Sequence, residues 1–139
     1  MVADKTPEEV TVTVTFNHTI VYATDKRRSA KFLANVLGLP EPQPMWSFMT
    51  VPLDHGVTLD FAKADRPISP QHYAFLVNED EFAGILARIQ AQGIPYWADP
   101  ARTRQQQINH NDGGRGVYFT DPDGHFLEAI TRPYGSGAV

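Results

Sequence analysis

Residues 17–40 read NHTIVYATDKRRSAKFLANVLGLP and residues 71–95 read QHYAFLVNEDEFAGILARIQAQGIP, so one pattern occurs twice. Each copy begins with a histidine in a strand-like segment, continues with apolar residues at helical spacing and ends with glycine, any residue, proline. A strand-like segment with an acid beside a leucine follows each copy, and the acids are Asp60 and Glu128. This repetition predicts a duplicated module in which a pseudo-twofold axis relates His18 to His72 and Asp60 to Glu128.

Hydrophobic periodicity predicts the order of elements in each half. In the first half, about residues 11–63, Thr11–Tyr22 alternates as a strand and a helix follows. Pro42 and Pro44 then mark a turn, and two strands flank the turn at Asp54–Gly56. The second half, about residues 71–132, repeats a strand, a helix and a run of strands, and contains a long polar loop at 99–115. The prediction is an α+β fold whose modules form a curved mixed sheet around a concave cleft, with both helices outside. We expect a single domain over residues 1–139.

Composition limits the functions open to the chain. A formal charge of −4 argues against a nucleic-acid partner, because phosphates attract basic surfaces. The chain has no cysteine, which excludes disulfides, thiolate metal sites and cysteine nucleophiles. No segment resembles a signal peptide or approaches the roughly 20 apolar residues of a membrane span. We therefore expect a cytoplasmic protein that handles a small molecule.

The paired positions offer imidazole nitrogens and carboxylate oxygens. Two histidines and one carboxylate form the facial triad of non-haem iron sites, which leaves positions open for a substrate or oxygen. A single strand histidine is more often a hydrogen-bonded core residue, and Arg115 is a rival partner for Glu128. Tyr118 either donates a hydrogen bond near the site or simply packs with its hydroxyl at the rim.

The remaining features receive structural interpretations. His55 and His110 are expected to be solvated loop residues, and the strand parity of His125 turns it away from the site. The loop at 99–115 is either a lid or a connector. Residues 133–139 are expected to form a loose tail, and both tryptophans to lie in the core or a pocket wall.

Three segments carry a family resemblance: Asn17-His18-Thr19-Ile20, residues 71–75 (QHYAF) and residues 114–128 (GRGVYFTDPDGHFLE). Together they resemble the vicinal oxygen chelate superfamily, which contains glyoxalase I, extradiol dioxygenases, fosfomycin-resistance enzymes and bleomycin-binding proteins. The match runs from about residue 15 to residue 131. The resemblance implies two βαβββ modules and a homodimer, with the site either within one chain or between two.

The resemblance also implies a divalent metal held by His18, His72 and Glu128, with Asp60 where glyoxalase I has a fourth, longer ligand. Iron(II) is favoured, and manganese, nickel, cobalt or zinc would also fit. Fosfomycin-resistance enzymes carry serine where this chain has Gly116. The favoured function is a dioxygenase-like enzyme, ahead of a lyase or isomerase of the glyoxalase type, whose substrate chelates the metal through adjacent oxygens. The alternative is a ligand-binding or antibiotic-sequestering protein without turnover.

Overall fold

A computed structural model describes residues 11–137 as two modules of one strand, one helix and three strands. The first module contains β1 (His18–Ala23), α1 (Lys26–Leu37), β2 (Gln43–Met45), β3 (Phe48–Pro52) and β4 (Thr58–Lys63). The second contains β5 (His72–Leu76), α2 (Glu79–Ala91), β6 (Tyr96–Trp97), β7 (Gly116–Thr120) and β8 (Phe126–Ile130). The predicted βαβββ duplication is confirmed.

Each module forms its own four-stranded mixed sheet, in the orders β1-β4-β3-β2 and β5-β8-β7-β6. The first strand of each module runs parallel to the last, and the other pairs are antiparallel. Hydrogen bonding thus divides the strands between two sheets, whereas the sequence predicted one curved sheet. In both sheets the histidine of the first strand pairs two residues before the acid of the last, so Asp60 and Glu128 occupy equivalent positions.

Local signals set the ends of both helices. The Asp25 side chain accepts a hydrogen bond from the Arg28 amide, and Gly38 ends α1 in the left-handed conformation that glycine tolerates best. Asn78 and Glu81 form a reciprocal capping box at the start of α2. Neither helix in residues 11–137 is long and apolar enough to cross a membrane.

The core lies between the helices and one face of each sheet. Buried side chains of α1 and α2 pack against alternate residues of the strands, and the most deeply buried are Val36, Val51, Phe61, Phe82, Ile85, Ile89, Val117 and Phe119. Because neighbouring strand residues point to opposite faces, the residues between these core positions face away from the helices. His18, His72 and Glu128 are on that second face.

The structure corrects three expectations in the first half. The first strand begins at His18, since residues 11–17 have no strand partner among the described residues; Val12, Val14 and Phe16 are exposed. Pro44, expected in a turn, lies in the edge strand β2, where a missing N–H is tolerated. Trp46 is 92% exposed in the turn after β2, and is not a core residue.

Polar contacts join the two modules. Nδ1 of His125 accepts a hydrogen bond from the Gln71 amide at 2.9 Å, so its Nε2 carries the proton and donates to the Tyr22 carbonyl at 2.8 Å. Asp123 accepts hydrogen bonds from the Thr24 amide and hydroxyl and from the Ser29 hydroxyl. These contacts tie the turn before β8 to β1 and α1.

Candidate metal centre

His72 and Glu128 meet on adjacent strands of the second sheet. Nε2 of His72 lies 3.1 Å from Oε1 of Glu128; the Glu128 side chain is 1% exposed and that of His72 is 52% exposed. The other carboxylate oxygen, Oε2, accepts a hydrogen bond from the Tyr134 hydroxyl, which lies 2.9 Å from the Tyr118 hydroxyl. Both oxygens of the buried Glu128 carboxylate therefore have a partner: Oε1 contacts the half-exposed His72 ring, and Oε2 accepts from the Tyr134 hydroxyl.

Whether Nδ1 of His72 carries a proton determines whether Nε2 of a neutral ring has a lone pair. Nδ1 lies 3.2 Å from the Phe126 carbonyl oxygen, which can only accept, so Nδ1 carries a proton. A neutral imidazole then has a lone pair, and no proton, on Nε2. Its approach to the Glu128 carboxylate requires a proton on one of the two groups or a cation between them.

Arg115 is not the partner of Glu128. Its guanidinium donates to the Glu79 carboxylate at 2.8 Å and to the Glu79 carbonyl at 3.1 Å. Among residues 11–137 no lysine or arginine forms a salt bridge with Glu128. Burying a carboxylate without a counter-charge is costly, so either a proton shared with His72 or a bound cation would offset the cost of burying Glu128.

The two tyrosines keep their protons at neutral pH. Burial, followed by the hydrogen bond to Glu128, raises the pKa of the Tyr134 phenol above its ordinary value. Burial also raises the pKa of Tyr118, and Glu128 adds to that shift. Because Tyr134 donates to Glu128, it accepts from Tyr118, and the three groups form a chain of donors that ends on the carboxylate.

The first module contributes His18 and Asp60 at the equivalent register, but in different surroundings. His18 is exposed, and its Nδ1 lies 2.7 Å from the Asn17 side-chain oxygen, so a neutral His18 ring that donates from Nδ1 has its lone pair on Nε2. Asp60 is 5% exposed and accepts a hydrogen bond from the Thr50 hydroxyl at 3.2 Å. Within residues 11–137 of one chain, no three histidine or acidic side chains are close enough to hold a metal together.

The spacing of His72 and Glu128 fits two ligands of one ion. Nitrogen and oxygen ligands about 2.1 Å from an ion and at right angles to each other are about 3 Å apart. The 3.1 Å separation meets this requirement, and a proton on Nδ1 would leave the Nε2 lone pair available to a metal ion. One chain therefore offers two of the three expected ligands.

Sequence reasoning missed Tyr134. It follows the last strand, in the segment expected to be a loose tail, yet Asp112 holds that segment by accepting hydrogen bonds from the amides of Gly135 and Gly137. Its side chain reaches Glu128 although the residue is 59% exposed overall. In the sequence, Tyr134 is only a single aromatic residue six positions after Glu128. The pattern of one sequence does not distinguish such a residue from any other residue of a loose tail.

Comparison with known proteins identifies similar sequences and structures. The chain is 30% identical over 120 residues to the glutathione transferase FosA of Serratia marcescens, which covers 81% of this chain and 77% of that protein. The solved structure of oxidase ChaP-H1 is 56% identical with a TM-score of 0.87, over 88% of this chain and 99% of that one. Oxidase ChaP-H2 is 55% identical with a TM-score of 0.87, over 91% and 100%.

A family model described as Glyoxalase/Bleomycin resistance protein/Dioxygenase superfamily matches residues 15–129. The matched region begins just before β1 and ends inside β8, so it contains both modules and all four acid and histidine positions discussed above. Together with the duplicated fold and the His72–Glu128 pair, this match identifies the protein as a member of the Glyoxalase/Bleomycin resistance protein/Dioxygenase superfamily.

Proposed function

We propose that this protein is a metal-dependent oxidase acting on a small molecule that chelates the metal through two adjacent oxygens. The observation that carries the proposal is the His72–Glu128 pair, in which a buried carboxylate and a lone-pair nitrogen face each other at 3.1 Å. The oxidase class is supported by the names of the two similar structures at 55% and 56% identity. Iron(II) is the proposed metal, because histidine and carboxylate ligands with open positions are typical of oxygen-using iron sites.

The third ligand is proposed to be His18 of a second copy. His18 is exposed in β1 with Nε2 free, and it shares its face with exposed Ile20 and Tyr22. An exposed apolar strand face beside a candidate ligand is typical of a surface that another chain covers. In a twofold dimer each of two sites would then take His72 and Glu128 from one chain and His18 from its partner. We propose that Asp60, the hydrogen-bonded equivalent of Glu128, borders the completed site without ligating.

The chain's own residues would prepare the site. When bound, the metal would supply Lewis acidity and a path for electrons between substrate and oxygen. The Phe126 carbonyl fixes the tautomer of His72, and the Tyr134 hydroxyl orients Glu128 by occupying Oε2. The Tyr118 hydroxyl, protonated and directed at Tyr134, would hold a proton beside the substrate oxygens as negative charge develops on them.

Metal content tests the proposal independently of the substrate. Untagged protein, loaded anaerobically with iron(II) and desalted, should hold about one equivalent per chain, and His72→Ala should lose at least tenfold in affinity. His110→Ala is the matched control, because His110 is an exposed loop histidine outside the site. An unchanged iron stoichiometry in His72→Ala would remove the metal site and the oxidase proposal with it.

Oxygen uptake with a panel of catechols then tests the reaction class. The expected result is substrate-dependent oxygen consumption that a chelator abolishes and that iron(II) restores. A methylglyoxal and glutathione mixture serves as the isomerase control. Metal binding with turnover only in that control would replace the oxidase proposal with a glyoxalase-type activity.

A second candidate is thiol transfer, favoured by the 30% identity to a glutathione transferase. One position weighs against it. A Cβ at Gly116 would lie 2.8 Å from Oδ1 and 2.9 Å from Nδ2 of Asn109, so the serine of fosfomycin-resistance enzymes would displace that side chain. Glutathione consumption in the presence of fosfomycin, measured on the metal-loaded protein, separates this candidate from the oxidase.

A further inference from the structure

A row of aromatic side chains borders the metal pair on the same face of the second sheet. Trp97 pairs with Tyr118 across β6 and β7, Tyr118 pairs with Glu128, and Phe126 pairs with His72. Residues directly opposite each other in a sheet share a face, so all of them surround one surface. The rings of His72 and Tyr118 are stacked, with their centroids 6.4 Å apart.

The loop at 99–115 places one cation over this aromatic surface. The Arg102 guanidinium lies 4.6 Å from the centroid of the Phe126 ring and 5.9 Å from that of Trp97. Phe126 is separated from Glu128 by a single residue on the same strand, so the residue whose ring Arg102 covers lies about two residue rises, roughly 7 Å, from Glu128 along the strand. This distance is comparable to the span of one substituted benzene ring.

The loop is built to hold Arg102 there. Its backbone adopts a left-handed φ of 59°, and its amide donates to the Asp99 carbonyl at 3.1 Å. The Asp99 carboxylate accepts from the Thr103 amide and hydroxyl and from the Arg104 amide. These hydrogen bonds lower the pKa of Asp99, led by the one from the Thr103 hydroxyl, so the carboxylate remains ionised and the turn remains closed.

The Arg102 guanidinium has no anionic partner among the described residues. The Arg102 side chain takes part in none of the salt bridges or side-chain hydrogen bonds of residues 11–137. Stacking on rings covers the flat faces of a guanidinium and leaves its in-plane N–H groups free to bind oxygens in pairs. Arg102 therefore offers a charge-assisted donor edge at a fixed distance from the metal pair.

We propose that the substrate is an aromatic compound with an ionised oxygen group remote from its chelating oxygens, and that Arg102 binds that group. The inference rests on the proposed metal site and adds the substrate class to it. The aromatic ring would pack along Trp97 and Phe126, and the anion would lie on the free edge of the guanidinium. The loop at 99–115 is then a specificity element.

Two probes that differ only in charge test this proposal. The acid 3,4-dihydroxybenzoate and the neutral 3,4-dihydroxybenzamide share the chelating hydroxyls, and their dissociation constants are measured anaerobically by calorimetry on the iron(II)-loaded protein. We expect the acid to bind about tenfold more tightly than the amide, since hydrogen bonds to charged groups are the strong ones. Fluorescence of Trp97 in a Trp46→Phe background should be quenched by both, because the chain has only two tryptophans.

Substitutions test whether Arg102 causes the preference for the acid over the amide. Arg102→Gln should reduce the acid-to-amide ratio to about one, and Arg102→Lys should keep part of the preference. Arg104→Gln, which removes the same charge from the same exposed loop, should leave the ratio unchanged. Equal binding of the two probes by the wild type, a preference that survives Arg102→Gln, or binding of neither probe to iron-loaded protein would overturn the inference and leave the metal site standing. Failure to hold iron would overturn the proposed function instead.

Discussion

A site shared between two chains makes a quantitative prediction for mixtures of defective variants. In the proposed dimer, His18→Ala chains retain His72 and Glu128, and His72→Ala chains retain His18. A heterodimer of the two therefore contains one site with all three ligands and one site that lacks both histidines. The two single variants alone contain no complete site.

The magnitude follows from counting chains. Random exchange of equal amounts of the two variants gives about half heterodimers, each with half of its sites intact, so about a quarter of the wild-type sites should return. A heterodimer purified with two different affinity tags should reach about half. An arrangement within one chain would return none in either preparation, because every chain lacks one ligand.

The assay measures iron retained after desalting and, where turnover is found, oxygen uptake. The variants are mixed in mild denaturant, returned to buffer and compared with each variant treated alone. The negative control is a His72→Ala and Glu128→Gln mixture, which contains no restorable site because neither chain has both His72 and Glu128. Tag recovery establishes that heterodimers formed. Verified heterodimers that hold no more iron than the parents, or a wild-type protein that is monomeric at the assay concentration, would refute the shared site.

Three further predictions concern single residues. His125→Ala removes the hydrogen bonds to Gln71 and Tyr22 and leaves a small cavity, so the free energy of unfolding should fall by about 3 kcal/mol in urea titrations; a loss below about 1 kcal/mol would contradict the bracing role. Burial opposes ionisation of Asp123, but hydrogen bonds from Thr24 and Ser29 hold its pKa below the ordinary 3.8. Its contribution to the free energy of unfolding is therefore complete well above pH 4 and is lost as the pH falls through the lower folded pKa. In urea titrations, the unfolding free energies of wild type and Asp123→Asn should differ at pH 7 and converge in acid. A difference that stays constant with pH would exclude this account. Tyr134→Phe removes the hydroxyl that orients Glu128, and competition with a chelator should show iron affinity about tenfold lower, with the unfolding free energy within about 1 kcal/mol of wild type.

The local sequence pattern was sufficient to predict the two modules and the histidine and acid that each contributes. Helical spacing and stop signals predicted α1 and α2, and the structure shows that Asp25 and Asn78 cap their first turns. The duplicated order placed Asp60 and Glu128 at equivalent positions, which the strand register bears out. These features depend on residues a few positions apart, so a single sequence contains the information they require.

Contacts between segments far apart in the chain could not be predicted from this local pattern. Alternation in residues 12–22 predicted that His18 shares a face with apolar residues, but it did not indicate that the opposite face, with Val21 and Ala23, enters the core. Likewise Arg115 was as plausible a partner for Glu128 as a metal until the fold paired it with Glu79.

The sequence by itself determined a duplicated βαβββ fold and a set of imidazole and carboxylate groups that recur in order. Tertiary structure decided that His72 and Glu128 meet, that Tyr134 returns from the tail to Glu128, that His125 braces the modules, and that Arg102 covers the aromatic surface. The physical reason is that periodicity distinguishes the faces of an element, whereas the partner of each face depends on how elements far apart in the chain pack together.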